Sequence, residues 1–165
     1  MPASNNVQST HISEQLGILH GALLDIASVM NRPQRDEVLI KQAGIALDRA
    51  LFPLLVGIER FGPIGVVDLA DRVGRDYTTV SRQVATLERQ GLVSRKPGAT
   101  DRRVTEATLS PAGRSLTARI DATRVELGRQ VFADWDPGEI DVFVRLTAKF
   151  AVALTGATAE TGKEA

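Results

Sequence analysis

Cysteine is absent from all 165 residues of the sequence. Disulfide bonds, thiolate zinc sites and thiol-based redox sensing are therefore excluded. Long apolar runs are missing too, because no run approaches the roughly 18 residues that a membrane-spanning helix needs. The first residues also lack the basic and then apolar layout of a secretory signal peptide. Together these absences predict a cytoplasmic protein.

Motifs of catalysis and metal binding are also lacking. The two histidines, His11 and His20, are nine residues apart, whereas two ligands on one helical face lie three or four residues apart. The sequence contains no glycine-rich phosphate loop of the Walker type, no GxSxG elbow and no HExxH motif. We therefore expect neither an enzyme nor a bound metal or cofactor.

Charge is balanced over the whole chain but not along it. Twenty basic residues offset twenty acidic ones, so the net charge is zero. From Arg75 to Arg103, however, the sequence contains seven basic residues and only three acidic ones. A basic patch on a neutral protein favours site-specific binding of nucleic acid over general attraction to polyanions.

Apolar periodicity predicts several helices. The first helix carries one stripe at alternating spacings of four and three: Ile12, Leu16, Leu19, Leu23, Ile26 and Met30. It should end before Pro33, because the residue before a proline is disfavoured in a helix. Val38–Leu47 suggests a helical turn and connector. Asp48 is expected to cap a second helix that runs to about Arg60, with Pro53 either kinking it or marking a later start.

The centre of the chain has the outline of a winged helix-turn-helix. Val66–Val73 is amphipathic, Gly74 can stop it, and Asp76 can cap the next helix, which should end at Gly91. Two short strands, residues 92–96 and 102–109, then form a hairpin. The predicted fold is mainly α with a small β-hairpin wing.

Two further helices follow the hairpin. Ser110-Pro111 is a strong helix start, and the next helix has a stripe from Leu116 to Val131. The last helix has a stripe from Ile140 to Leu154, with Trp135 as a packing anchor at its start. The compact central region is too small to cover these stripes and that of the first helix, so a second chain is the economical partner. A monomer with a six-helix core is the alternative.

The helix that follows Gly74 has the composition of a DNA-reading element. If Val80, Val84 and Leu87 are buried, the start of the helix and its opposite face present seven residues to DNA: Tyr77, Thr78, Thr79, Ser81, Arg82, Gln83 and Thr86. Arginine can bind guanine through two hydrogen bonds and glutamine can bind adenine in the same way. The alternative is an ordinary solvated face.

The hairpin offers a second contact. Two arginines on a projecting ribbon can enter a neighbouring minor groove. We expect Asp101 to pair with one of them and aim it. With Arg75 before the helix, the further predicted DNA contacts are Arg75, Arg95, Lys96, Asp101, Arg102 and Arg103. The alternative is a flexible charged turn.

Residues 62–114 resemble the MarR family of bacterial transcription regulators. GPIGVVDLADRVGRDYTTVSRQVATLERQGLVSR is similar to the helix-turn-helix of that family, and DRR followed by LSPAGR is similar to its wing and next helix. The resemblance implies that the DNA-facing residues include Thr78, Thr79, Ser81, Arg82, Arg102 and Arg103. Gly65, where a Ser or Thr cap is common, and Pro53 depart from the family pattern.

The resemblance further implies a homodimer that binds double-stranded DNA at a pseudo-palindromic operator. Such proteins are often repressors released by a small, aromatic or anionic effector. The candidate effector residues are His20, Leu24, Arg49, Phe52 and Leu55. The alternative function is a winged helix that binds proteins and has no specific DNA target, but that reading predicts acidic or apolar groups where Thr78, Arg82 and Gln83 stand.

The expected organisation has three parts and two tails. Residues 11–60 form N-terminal helices for dimerisation and entry to the DNA-binding lobe. Residues 61–110 form the winged helix-turn-helix core, and residues 111–155 form C-terminal dimerisation helices. Residues 1–10 and 156–165 are expected to be flexible tails.

Overall fold

The computed structural model describes the backbone of residues 3–98 and 101–161, and the side chains of residues 12–98 and 101–156. The described residues form seven helices and three strands: α1 (Ala3–Met30), α2 (Pro33–Gln42), α3 (Phe52–Phe61), β1 (Ile64–Gly65), α4 (Val66–Val73), α5 (Tyr77–Arg89), β2 (Val93–Pro97), β3 (Thr105–Leu109), α6 (Pro111–Val131) and α7 (Pro137–Thr161). The fold is mainly α with a small sheet, as the sequence predicts. The chain divides into two compact units, residues 1–123 and 124–165, and the boundary between them falls within the sequence of α6.

The core of the first unit lies among α3, α4, α5 and the sheet. Its most completely buried side chains are Leu54, Leu55, Ile58, Leu69, Val80, Val84, Leu87, Thr117 and Ile120. Burying one leucine, isoleucine or valine side chain contributes about 1.5–3 kcal/mol. This core therefore holds the helix-turn-helix in one lobe, the one for which the sequence predicts DNA binding, and we call it the DNA-binding lobe.

The helix-turn-helix agrees closely with the sequence prediction. Gly74 ends α4 in the left-handed conformation, with φ of 63°. The Asp76 carboxylate accepts the backbone N–H of Thr79 at 2.8 Å and so caps α5. At the other end the Leu92 N–H donates to the Leu87 carbonyl at 3.0 Å, while Gly91 has φ of 72°. This is a Schellman motif, which fixes where the chain leaves α5.

The region before the helix-turn-helix differs in part from the prediction. Residues 38–42, expected to form part of a turn and connector, belong to a full helix, α2, which begins with Pro33 in its first turn. Helix α3 begins only at Phe52, so the later start, one of the two expectations for Pro53, is confirmed, and Pro53 does not kink the helix. Asp48 caps no helix. Its carboxylate accepts the Ala50 N–H at 2.7 Å in the turn that precedes α3.

The sheet has three antiparallel strands in the order β1-β3-β2. The hairpin of β2 and β3, here called the wing, pairs Val93 with Leu109 and Pro97 with Thr105. The β3 strand begins at Thr105, later than the predicted residue 102. The two-residue strand β1 was not predicted, because two residues are too few to show an alternating pattern.

The terminal helices are longer than expected. Helix α1 begins at Ala3 and α7 continues to Thr161, within segments that the sequence pattern assigned to tails. Residues 3–10 contain no glycine or proline, so nothing in that segment stops a helix. The parts of those tails at residues 1–2 and 162–165 lie outside the described residues.

The apolar stripe of α1 lies on the surface of the chain. Its six residues, Ile12, Leu16, Leu19, Leu23, Ile26 and Met30, are between 36% and 57% exposed. On α7, Phe143, Val144 and Leu154 are between 40% and 57% exposed. No helix among the described residues is long and apolar enough to cross a membrane. A single chain therefore leaves two long apolar faces in contact with water.

The second unit has a small aromatic cluster at the start of α7. The Trp135 ring lies edge-on to Phe132, with centroids 5.1 Å apart, and to Phe143, at 5.5 Å. The cluster agrees with the expectation that Trp135 anchors the start of the last helix. Trp135 nonetheless remains 41% exposed.

Candidate nucleic-acid interface

Helix α5, the recognition helix of the motif, has one buried and one open face. Val80, Val84 and Leu87 are fully buried, as predicted. Among the predicted DNA contacts, those whose side chains are exposed on this helix are Tyr77, Thr78, Thr79 and Arg82. These four residues supply hydroxyl groups and a guanidinium, which can reach base edges and phosphates.

The start of α5 is fixed by its cap. Hydrogen bonds from the Thr79 side chain and backbone lower the pKa of the Asp76 carboxyl below its ordinary value. The carboxylate is therefore charged at neutral pH and complements the positive end of the helix dipole. The cap holds the first turn, which carries Tyr77 and Thr78, in one conformation.

Arg75 and Gln83 are hydrogen-bonded to each other. Arg75 Nη1 donates to the Ala50 carbonyl at 2.8 Å and to Gln83 Oε1 at 3.2 Å. Both side chains are half-buried. The sequence pattern placed Gln83 on the outer face of α5, but it lies on the flank beside the turn before α3, because Arg75 draws its amide inward. The Oε1 atom that the expected adenine contact would use already accepts a hydrogen bond from Arg75.

Two further predicted contacts on α5 are partly covered. Ser81 is half-buried. The Thr86 hydroxyl donates to the Arg82 carbonyl at 3.1 Å and accepts from Arg89 Nη2 at 2.9 Å. Arg89 was not predicted as a contact, although it is exposed and follows Arg82 by seven residues. Two helical turns bring it to the same face, so the spacing could have identified it.

In the middle of β2, Arg95 forms an ion pair. Arg95 Nε and Nη2 lie 2.7 and 2.5 Å from the same carboxylate oxygen of Glu88. The hydrogen bond from Arg95 lowers the pKa of Glu88. Arg95 was predicted to contact DNA, but here its guanidinium joins β2 to α5. The prediction could not include this pair, because seven residues and a turn separate the two side chains.

The wing tip presents three cations. Lys96, Arg102 and Arg103 are exposed. The expected pairing of Asp101 with an arginine side chain is wrong: Asp101 Oδ1 accepts the backbone N–H of Arg103 at 2.9 Å, and no ion pair of Asp101 occurs within the described ranges. This local turn avoids the loss of side-chain entropy that fixing a long arginine requires. Both arginines are left available to a ligand.

Gly65 stands where the resemblance leads one to expect a serine or threonine cap. A Cβ atom on Gly65 would lie 3.1 Å from Val104 Cγ1, closer than ordinary van der Waals contact. Val104 belongs to the segment that connects the wing tip to β3. The absence of a side chain therefore lets the wing lie close against the start of α4.

The candidate effector residues lie in different environments. Phe52 and Leu55 belong to the core, whereas His20 and Leu24 are exposed on α1. Arg49 forms an ion pair with Glu37 at 3.2 Å and lines a cleft of about 330 Å³. The other residues around this cleft are Asn31, Pro33, Asp36, Ala50, Arg75, Thr79 and Gln83. Of the five candidates, Arg49 alone lines this cleft.

Over the described part of the chain, no group of three or more His, Asp or Glu side chains is placed to hold a metal ion. The chemistry of the exposed surface is that of hydroxyls and guanidinium groups on a capped helix and on an adjoining hairpin. This arrangement defines a winged helix-turn-helix of the DNA-binding type.

Comparison with known proteins identifies the family. Residues 47–105 match the model of the MarR family. The chain is 33% identical over 100 residues to the uncharacterized HTH-type transcriptional regulator YxaD of Bacillus subtilis (strain 168), an alignment covering 61% of this chain and 70% of that protein. The chain belongs to the MarR family. It is a DNA-binding transcriptional regulator and not an enzyme.

Solved structures share the fold. A MarR family protein from Bacillus stearothermophilus superposes with a TM-score of 0.68 at 23% identity, over 87% of this chain and 97% of that one. BpsR of Bordetella bronchiseptica, whose DNA binding is regulated by 6-hydroxynicotinic acid, is 26% identical and gives a TM-score of 0.52, over 79% of this chain and 91% of that one.

Proposed function

We propose that this regulator is a homodimeric repressor that binds a pseudo-palindromic operator and is released by a small aromatic or anionic effector. The observation that carries the DNA-binding part is the open face of α5. A carboxylate-capped helix presents Thr78 and Arg82 to solvent, and Arg102 and Arg103 project from the adjoining wing. One element then reads the major groove and the other reaches the minor groove beside it.

The exposed apolar stripes support dimerisation. Apolar residues along α1 and α7 have helical spacing, and many of them are exposed in the described part of the chain. A second copy that covers them would remove a large apolar surface from water, which is the main favourable contribution to association. A two-fold dimer would also place two recognition helices about one DNA turn apart, which matches a palindromic site. On this proposal residues 11–60 and 111–155 provide the dimer, and residues 61–110 contact DNA.

Effector release requires a ligand that distinguishes the free dimer from the DNA-bound dimer, since binding can shift only an equilibrium between states that it distinguishes. The cleft beside Arg49 supports such a role because it adjoins Thr79 and Gln83 of the recognition helix. A carboxylate there could compete with Glu37 for Arg49. As a repressor of chromosomal genes, the protein would act in the cytoplasm.

Selection of duplexes from a random DNA library tests the DNA-binding part of the proposal. The expected result is an inverted repeat with half-sites about one helical turn apart, bound at least tenfold more tightly than scrambled DNA. Fluorescence anisotropy at several salt concentrations should then show that the double variant R82A/R102A loses this preference. Enrichment of no sequence, or an unchanged preference in the variant, would contradict the proposal.

Repression and release are tested on the selected duplex. When the selected duplex overlaps a promoter, adding the protein should lower transcription from that promoter. An increase in transcription would identify an activator. 6-Hydroxynicotinic acid serves as the effector probe because it regulates the Bordetella relative. If a concentration of the acid releases the wild-type dimer from DNA but leaves the Arg49→Gln variant bound, the cleft is supported as the effector site. Equal release of both proteins would exclude Arg49 from the effector site.

A further inference from the structure

The ion pair of Glu88 and Arg95 joins the recognition helix to the wing. Glu88 lies near the end of α5 and Arg95 lies on β2. Their side chains are 36% and 31% exposed, and two guanidinium nitrogens reach one carboxylate oxygen. The pair therefore adds a side-chain link between two elements that follow each other in the chain through the turn at residues 90–92.

Two other ion pairs are more exposed than this one. Arg49 and Glu37 are 49% and 59% exposed, and Arg129 and Glu126 are 72% and 64% exposed within a single helix. Exposed pairs of that kind contribute little to stability and are screened by salt. The Glu88–Arg95 pair is more shielded than either of these two, and it touches the wing.

The position of this pair allows it to affect where the wing tip lies. Arg95 is in register with Ala107 of β3, so a rotation of β2 carries the whole hairpin with it. A strand of five residues is about 16 Å long, and a rotation of about 15° at its root would move its far end by about 4 Å. A displacement of that size is enough to break a hydrogen bond or phosphate contact made by Arg102 or Arg103.

We propose that Glu88 and Arg95 are a positioning pair that sets the angle of the wing, so that Arg102 and Arg103 reach DNA while Arg82 reads the adjoining groove. Neither member of the pair contacts DNA. The inference rests on the proposed DNA contact of the wing tip. Arg95 thereby differs from Lys96, the next residue along β2, whose charged group remains exposed and available to a phosphate.

A double-mutant cycle on the selected operator tests the proposal. Its four proteins are wild type, E88Q, R102A/R103A and the triple variant. Because E88Q keeps the shape of the side chain and removes its charge, we expect it to lower operator affinity at least fivefold in the wild-type background. In the R102A/R103A background the same change should alter affinity less than twofold, since the wing no longer has contacts to misplace.

Arg95→Gln provides the second variant. A positioning role predicts the same loss as E88Q and the same disappearance of that loss without the tip arginines. A loss several times larger than that of E88Q, persisting in the R102A/R103A background, would overturn the proposal and make Arg95 a direct DNA contact. Circular dichroism and thermal unfolding of each variant establish that the folded protein is being compared.

Footprinting provides a readout that a general loss of stability would not move. E88Q should weaken minor-groove protection beside each half-site while the major-groove protection by α5 remains. The matched control is E126Q, which removes an ion pair from the second unit and should leave the protection of both grooves unchanged.

If R102A/R103A itself does not weaken binding, the proposed wing contact fails. If R102A/R103A weakens binding and E88Q does not, the positioning role alone fails.

Discussion

Helices α5 and α1 carry apolar stripes of similar spacing, yet the two stripes lie in opposite environments. Val80, Val84 and Leu87 of α5 are fully buried in the DNA-binding lobe, whereas the stripe of α1 is between 36% and 57% exposed. Periodicity therefore shows that a helical face is suited to burial without showing what buries it. For α5 the cover lies in the same chain. For α1 we assign it to a second copy.

The largest expected effect is on the stability of the lobe. Leu87→Ala should lower the free energy of unfolding by about 2–5 kcal/mol, because it leaves a cavity in a fully packed core. Urea unfolding followed by circular dichroism measures the loss. Val67→Ala is the matched control on α4, since Val67 is 58% exposed. Equal losses in the two variants would show that the lobe core is misassigned.

A charge on α1 should act on assembly and leave the lobe folded. In the variant L19D/L23D two carboxylates would have to be buried in the proposed dimer interface, so we expect the dimer dissociation constant to rise at least a hundredfold. Sedimentation velocity measures the change. Ser28→Asp, on the opposite face of α1, should have little effect. A wild-type protein that is monomeric, or a double variant that remains as dimeric as wild type, would contradict the assignment.

Removal of one base-reading side chain should affect recognition without affecting assembly. Arg82→Ala is expected to cost about 1–3 kcal/mol of operator binding, the range for a two-bonded arginine–guanine contact. Anisotropy titration gives the affinity, and sedimentation should show an unchanged dimer. Arg145→Ala removes the same charge from α7 as a control. Comparable losses in both variants would indicate a non-specific electrostatic effect.

The smallest expected effect concerns the cap of α5. Because folding lowers the pKa of Asp76, its stabilisation is complete above the unfolded-state pKa and is lost as pH falls through the folded-state value. The advantage of wild type over Asp76→Asn should therefore be present at pH 7 and shrink below the ordinary pKa of 3.8. Thermal unfolding across that range, with Asp134→Asn as the control, measures it. An advantage that persists or grows in acid would contradict the assignment.

The features that sequence predicts well here are contained within one element or its ends. The bounds of α4, the Gly74 turn, the Asp76 cap and the Gly91 stop depend on residues a few positions apart, so their signals are local. The apolar stripes of the terminal helices are local in the same sense.

The remaining features depend on contacts between elements. Arg75 donates hydrogen bonds both to the Ala50 carbonyl, 25 residues away, and to Gln83 on α5. The Glu88–Arg95 pair forms only when the wing folds back on α5. A pattern of residue types indicates that a basic side chain is present but not which acceptor lies near it. The predicted DNA surface therefore includes side chains that the structure pairs within the chain, Arg75, Gln83 and Arg95. It does not include Arg89, which is exposed on the same face of α5 as Arg82.

The most direct test of the account is the mass of the protein–operator complex in solution. Light scattering on the complex with a duplex carrying both selected half-sites should give two chains per duplex, and the free protein should have twice the 17.8 kDa mass of one chain. Halving the duplex to a single half-site should sharply weaken binding. A free protein of one chain that binds each half-site separately and with unchanged affinity would contradict the account.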